Sequence, residues 1–281
     1  MNRGATIFVL LFLCFVWSGD GLAATQQEPA KLVFGVVPQQ PATKLARHWT
    51  PVLQWLSRQT GIQIEFATAQ DIPTFEHRLA AGQYDIAFMN PYHYTVFHET
   101  TGYRAFAREK QIGLRGIVVV RKDSKYTDVA QLAGETLAFP SPAAFAASIV
   151  TQAELRQQRV PFTPEYVASH DSVYRAVAMG IFPAGGGVER TLNNMEPAVR
   201  AQLRALWQTK AYTSHALAAH PRVPSQMVTR LQESLLKMEF DAEGASLLRA
   251  LDLKGIVRVS DKDYQDIRDL NIHVLDQLVK Y

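Results

Sequence analysis

Strand-length apolar runs alternate with helix-length amphipathic stretches along most of this chain, and that alternation restricts it to an α/β architecture. KLVFGVV (31–37) reads as a strand stopped by Pro38. Over 43–60, Leu45, Trp49, Val52, Leu53 and Leu56 recur on one helical stripe, and Gly61 supplies the C-terminal stop. Pro51 inside that stretch predicts a kink or an interrupted helix. Ile62, Ile64 and Phe66 alternate as a strand, 73–81 reads as a short helix capped by Asp71, and 85–89 is a buried strand. A helix over about 91–99 follows. Units of this spacing predict a mainly parallel sheet with helices on both faces.

A second series begins at GIVVV (116–120). A helical turn at 128–133, a strand at 136–139, a long helix at 143–158, a strand at 166–168 and a helix at 171–179 follow in order. Gly185, Gly186 and Gly187 permit close backbone approach or positive φ and open into another helical stretch. Strands are expected at 205–209 and 214–219, and then an almost wholly helical tail at 225–238, 242–251 and 261–280. No Pro/Gly/Ser linker separates the two series, and the tail is too long for the second alone. The chain is therefore expected to cross twice between two lobes, near 116–120 and 208–214, leaving a cleft with a hinge at its base. The expected partition is 25–117 with 213–281 in one lobe and 118–212 in the other.

Residues 1–24 stand apart. Arg3 precedes an uncharged apolar run, Ser18-Gly19-Asp20 breaks it, and Gly21-Leu22-Ala23 is a small-x-small cleavage site. This is the layout of a secretory signal peptide, with cleavage after Ala23 or Ala24. The single cysteine, Cys14, lies inside it, behind residues too bulky for a lipobox. The mature chain thus has no disulfide, thiolate metal site or cysteine nucleophile. Arg3 and Asp20 cancel, so the formal charge stays at +3 after removal, a mild excess that favours a small anionic ligand. No basic block points to nucleic acid.

The stretch DIAFMNPYHY (85–94) places an asparagine and two tyrosines where a strand gives way to a helix, a position at which α/β folds bind small ligands. GVVPQQPATKLARHWTPVLQWLSRQTG (35–61), GQYDIAFMNPYHY (82–94), SHDSVYRAVAMG (169–180), HPRVPSQMVTRLQESLLKM (220–238) and VSDKDYQDIR (259–268) resemble, in order, segments of the phosphate/phosphite/phosphonate-binding components of bacterial ABC importers. That resemblance implies a two-lobed type II periplasmic binding protein, with two hinge crossings and an anionic ligand closed between the lobes. It implies a monomeric, cofactor-free periplasmic protein whose partner is an ABC permease. The alternative is a ligand sensor that signals to a membrane histidine kinase. One stretch departs from the family. Ala143, Ala144, Ala146 and Ala147 in FPSPAAFAAS (139–148) stand where hydroxyl side chains are expected, leaving backbone N–H groups at a helix start to meet an anion.

The expected ligand contacts are Gln39, Asn90, Tyr92, Tyr94, Ser141, Phe145, His170 and Glu189. Asn90 either donates to an anion or caps its helix, and Ser141 is a cap or a donor. Phe145 is a ligand wall, and His170 contacts an anion when protonated, beside Asp171 as helix cap. Glu189 and Arg190 follow the glycines toward the cleft. Enzymatic motifs (G-x-S-x-G, H-E-x-x-H, G-x-x-x-x-G-K) are absent, and His93 and His98 fall on different helix faces, so neither catalysis nor a metal is expected.

Overall fold

The structure, a computed structural model, describes Met1 and residues 31–110 and 113–278. The expected leader beyond Met1 lies outside the described residues. Strand β1 (Lys31–Val36) is followed by α1 (Ala42–Thr60), β2 (Gln63–Ala67), α2 (Ile72–Ala80), β3 (Ile86–Met89), α3 (Pro91–Thr101) and β4 (Arg104–Glu109). Next come β5 (Gly116–Arg121), β6 (Thr136–Phe139), α4 (Thr151–Gln157), β7 (Thr163–Tyr166), α5 (His170–Ala178), β8 (Ala184–Val188), α6 (Glu189–Asn193), α7 (Pro197–Arg200) and β9 (Leu203–Gln208). The chain closes with β10 (Ala216–Ala219), α8 (Ser225–Lys237), α9 (Ala242–Ala250), β11 (Ile256–Arg258) and α10 (Gln265–Arg268). No helix among the described residues is long and apolar enough to cross a membrane.

Two sheets result, β11-β4-β10-β3-β1-β2 and β7-β6-β8-β5-β9. They are mixed rather than mainly parallel. β1 runs parallel to β2 and β3, and β6 to β7 and β8, whereas every pairing of β5, β10 and β11 is antiparallel. β5 and β10 each enter a sheet directly after the chain has passed from the other one. Their direction is set by that crossing and not by a βαβ turn.

Among the described residues the crossings lie at 113–115 and 209–215, so the run 116–120 is already strand in the second half. The two crossing segments bond to each other: Leu114 N donates to Tyr212 O at 2.6 Å and Tyr212 N to Leu114 O at 3.0 Å. Beside them, Thr209 N donates to Gly116 O at 2.9 Å and Gly116 N to the Thr209 hydroxyl at 3.0 Å.

α1 is continuous through Pro51 and stops at Gly61, whose φ is 68°. The proline removes one hydrogen bond, a loss of about 3 kcal/mol. Beyond it Val52, Leu53, Trp55 and Leu56 are buried, at roughly 1.5–3 kcal/mol each, which outweighs the defect and keeps both halves of the helix in line. The glycine triplet is also not a loop. It forms the centre of β8, with Tyr174, Phe139 and Val173 lying where side chains would be. The C-terminal stretch shortens to a single helical turn at Asp261–Tyr264 and α10. Asn271 at φ 48° follows, and there is no further helix among the described residues. This segment returns to the first sheet's half, where Tyr264 packs 4.4 Å from Tyr94.

The stretch expected as one long helix over 143–158 divides into a π-helical segment, Phe145–Val150, and α4. Ala143 to Ala147 are all buried and belong to the same apolar cluster as Phe88, Met89 and Tyr92 of the first half. The alanines therefore form the apolar seam between the two halves.

Candidate functional site

Three backbone devices bring the two halves to one place. β1 and β3 end side by side, with Val37 N donating to Phe88 O at 3.0 Å, so Gln39 and Asn90 emerge at one sheet edge. Asn90 caps α3, its Oδ1 accepting from His93 N at 2.7 Å, and Pro91 fills the first helical position, where no N–H partner is needed. From the other half, Ser169 caps α5 and delivers His170 and Asp171 into its first turn. The cap expected of Asp171 belongs to Ser169, because it is the residue whose side chain accepts from the Ser172 N–H.

Direct contacts join the halves across the cleft. Asn90 Nδ2 donates to Ala143 O at 3.1 Å, and His170 N to Gln39 O at 3.2 Å. Asp171 accepts from Gln40 Nε2 and from Lys44 Nζ, each at 3.2 Å. Arg190 pairs with Glu109 at 3.2 Å, reaches Gln39 Oε1 at 3.5 Å and lies over the Phe88 ring at 5.7 Å. Between these bridges lies a cavity of about 10 Å³, room for about one water molecule in this closed arrangement. The first half lines it with Val37, Gln39, Ile72, Asn90 and His215, and the second with the 144–147 turn, His170 and Val188.

Gln39, Asn90, Phe145 and His170 thus meet at one cavity, as their positions in the sequence suggest. The other four expected residues do not line it. Tyr92 is buried and its hydroxyl accepts from Leu275 N at 2.9 Å. The Tyr94 hydroxyl donates to Asp261 at 2.9 Å. Both tyrosines thus serve the C-terminal segment, while the capping Asn90 faces the cleft. Ser141 is buried with its hydroxyl unpartnered among the described residues, and it neither lines the cavity nor caps the following turn. Glu189 is exposed and borders a separate opening beside the crossings, with Glu109 and Arg115.

His215 was not singled out from sequence. It immediately precedes β10, whose antiparallel register pairs Ala216 with Met89 and so sets His215 next to Asn90. Its only sequence signal is a histidine at the start of an apolar strand that follows a crossing.

The cavity is electrostatically unusual. Burial, reinforced by the Arg190 guanidinium, pushes the His170 imidazole down to about 3. Burial, with Arg190, His93 and His170 nearby, pushes His215 well below its ordinary value. Burial also raises Glu109, against the pull of Arg190, and lowers Arg190. Both imidazoles are accordingly neutral near pH 7. They are themselves buried, where the low local dielectric makes each directed hydrogen bond count for more than in water. The first turn of the 145–157 helical stretch adds backbone N–H groups without intrahelical partners. No cluster of three His, Cys, Asp or Glu suited to a metal ion occurs among the described residues.

Comparison with known proteins places this geometry. Residues 34–264 match the family of ABC transporter, phosphonate, periplasmic substrate-binding proteins. The phosphate-import protein PhnD of Mycolicibacterium smegmatis is 24% identical, over 88% of this chain and 86% of that protein. Among solved structures, a binding protein component of an ABC phosphonate transporter from Pseudomonas aeruginosa superposes with a TM-score of 0.79 at 18% identity, covering 88% of this chain and 87% of that one. PhnD1 from Prochlorococcus marinus, in complex with methylphosphonate, gives 0.77 at 17% identity, over 90% of this chain and 100% of that one. These structures share the two-lobed periplasmic binding fold. With most of its length matched and its two sheets meeting at an enclosed cavity, the chain belongs to the phosphonate-binding family of periplasmic ABC-transporter substrate-binding proteins.

Proposed function

We propose that the protein closes its halves over a small oxyanion of the phosphate–phosphonate class and presents it to an ABC permease. The observation that carries this reading is the cavity at which Asn90 and His215 of one half meet His170 and the 144–147 turn of the other. The bound ligands named for its relatives agree with it. A guest that touches both halves favours the closed arrangement by its differential affinity alone. The lobes that move are the two halves joined by the crossings before Gly116 and at 209–215, and 1–24 is the leader that directs export.

A thermal-shift panel of phosphate, phosphite, methylphosphonate and methanesulfonate on the mature protein tests the reading. A true ligand at 100 times its Kd stabilises by about 2.7 kcal/mol, a shift of several degrees. A flat panel refutes it. The alanines at 143–147, in place of hydroxyls, favour a second reading in which occupancy is reported to a sensor histidine kinase rather than handed to a permease. Transport by the neighbouring permease and ATPase, reconstituted with this protein, decides between the two.

A further inference from the structure

His215 lines the cavity yet takes part in none of the hydrogen bonds that shape it. The residue is 2% exposed, its ring stacks on Phe88 at 5.0 Å and 17°, and its Nε2 is buried without a partner among the described residues. A buried polar nitrogen without a partner carries a desolvation penalty that a partner inside the cavity would remove. His170, by contrast, already has its Nδ1 3.2 Å from the Thr191 hydroxyl.

The groups around His215 explain what such a partner must be. α6 brings Arg190, which is paired with Glu109 of β4. α3 brings His93, held at 2.9 Å by Glu76 of α2, and α5 brings His170. Burial and these neighbours hold the His215 ring neutral in the absence of a guest. A negative oxygen arriving at contact distance reverses the balance, because an opposite charge in a poorly screened site favours the protonated ring.

Resting on the oxyanion reading above, we propose that His215 contacts the ligand directly and takes up a proton as the oxyanion enters, so that capture is coupled to pH. The guest arrives as the dianion, and the proton comes from solvent. It settles on the ring nitrogen that has no partner, and the resulting N–H donates to the anionic oxygen. No other bond changes. A guest with two charges thereby presents only one net charge to the closed cavity, which offsets the loss of the hydroxyl donors replaced by Ala143, Ala144, Ala146 and Ala147.

The test uses the mature protein labelled with ¹⁵N at histidine, with methylphosphonate as probe. Spectra of the free and saturated protein are recorded at pH 7.5, and His215→Gln assigns the ring signal. The expected result is a neutral His215 pattern in the free protein and an imidazolium pattern in the complex. His215→Gln should weaken methylphosphonate about 10- to 100-fold. It should also lose a gain of up to tenfold in affinity per unit of falling pH that the wild type shows. Should that variant fail to fold, His215→Asn assigns the ring signal in its place, and the wild-type spectra then decide. A His215 ring that stays neutral under saturating methylphosphonate, or a variant that binds as tightly, overturns the proposal and leaves the oxyanion reading intact. No binding of methylphosphonate, phosphate or phosphite at any pH overturns both.

Discussion

Replacing Gly186 with alanine should damage the cavity more than it damages the fold. Gly186 lies at the middle of β8, opposite Val118 of β5. A Cβ built there falls 2.1 Å from the Ala147 carbonyl oxygen and 2.6 Å from Phe139 Cδ1, where ordinary contact begins at 3.4 Å. Phe139 is fully buried and cannot swing aside. The turn carrying Ala147 must therefore retreat by about 1.3 Å, the difference between 3.4 and 2.1 Å. Overpacking of this kind costs about 1–3 kcal/mol of stability. The same displacement pulls Ala143 O from Asn90 Nδ2, now 3.1 Å away, and reshapes one wall of a cavity of only about 10 Å³. Gly186→Ala should unfold at lower urea with an unchanged slope, and its melting shift on adding methylphosphonate should fall to a small fraction of the wild-type shift. Wild-type stability within about 0.5 kcal/mol together with an undiminished ligand shift would refute the assignment of that turn to the site.

Three further outcomes follow from the contacts described. Asp171→Ala removes the acceptor for both Gln40 and Lys44, at about 1–3 kcal/mol of closure. Ligand affinity should drop by the matching 5- to 150-fold, and small-angle scattering should show a larger radius of gyration; an unaltered profile and affinity would count against the bridge. Tyr92→Phe removes only the acceptor for Leu275 N, so it should cost about 1 kcal/mol in urea melts and leave oxyanion affinity untouched; lost affinity would return Tyr92 to the cleft. Folded His170 and His215 titrate below the unfolded value of 6.5, so the unfolded chain binds more protons as pH falls. Stability of the free protein should be full above about pH 6.5 and decline toward pH 3, by up to about 2.7 kcal/mol per unit from the pair, with Glu109 offsetting part because its shift has the opposite sign. Denaturation midpoints across that range, flat with pH, would contradict buried neutral imidazoles.

Much of the architecture is legible wherever periodicity is local. The stripe of Leu45, Trp49, Val52, Leu53 and Leu56 marks α1 because its burial is dictated by spacing along one helix. The strand-to-helix junction at Asn90 is legible because strand, cap and helix are neighbours in sequence. Legibility fails where distant segments decide. The tyrosines of α3 turn toward Asp261 and Leu275, well over a hundred residues away, which no local pattern announces. A strand of glycines has no β propensity of its own, and only the bulk of Tyr174, Phe139 and Val173 explains why small residues occupy it. His215 reaches the cavity because β10 inserts antiparallel beside β3, a register fixed by tertiary pairing.

The mutual pairing of Leu114 and Tyr212 restricts how the molecule can open. Two independent tethers would let the halves shear, twist and gape separately. Riveted to one another by a pair of backbone hydrogen bonds, they behave as a single flexing ribbon, and swinging about it is the softest motion left. Lengthening one tether alone would snap the rivet rather than widen the swing, so tolerance to insertions should be lower there than on any exposed loop of the same length.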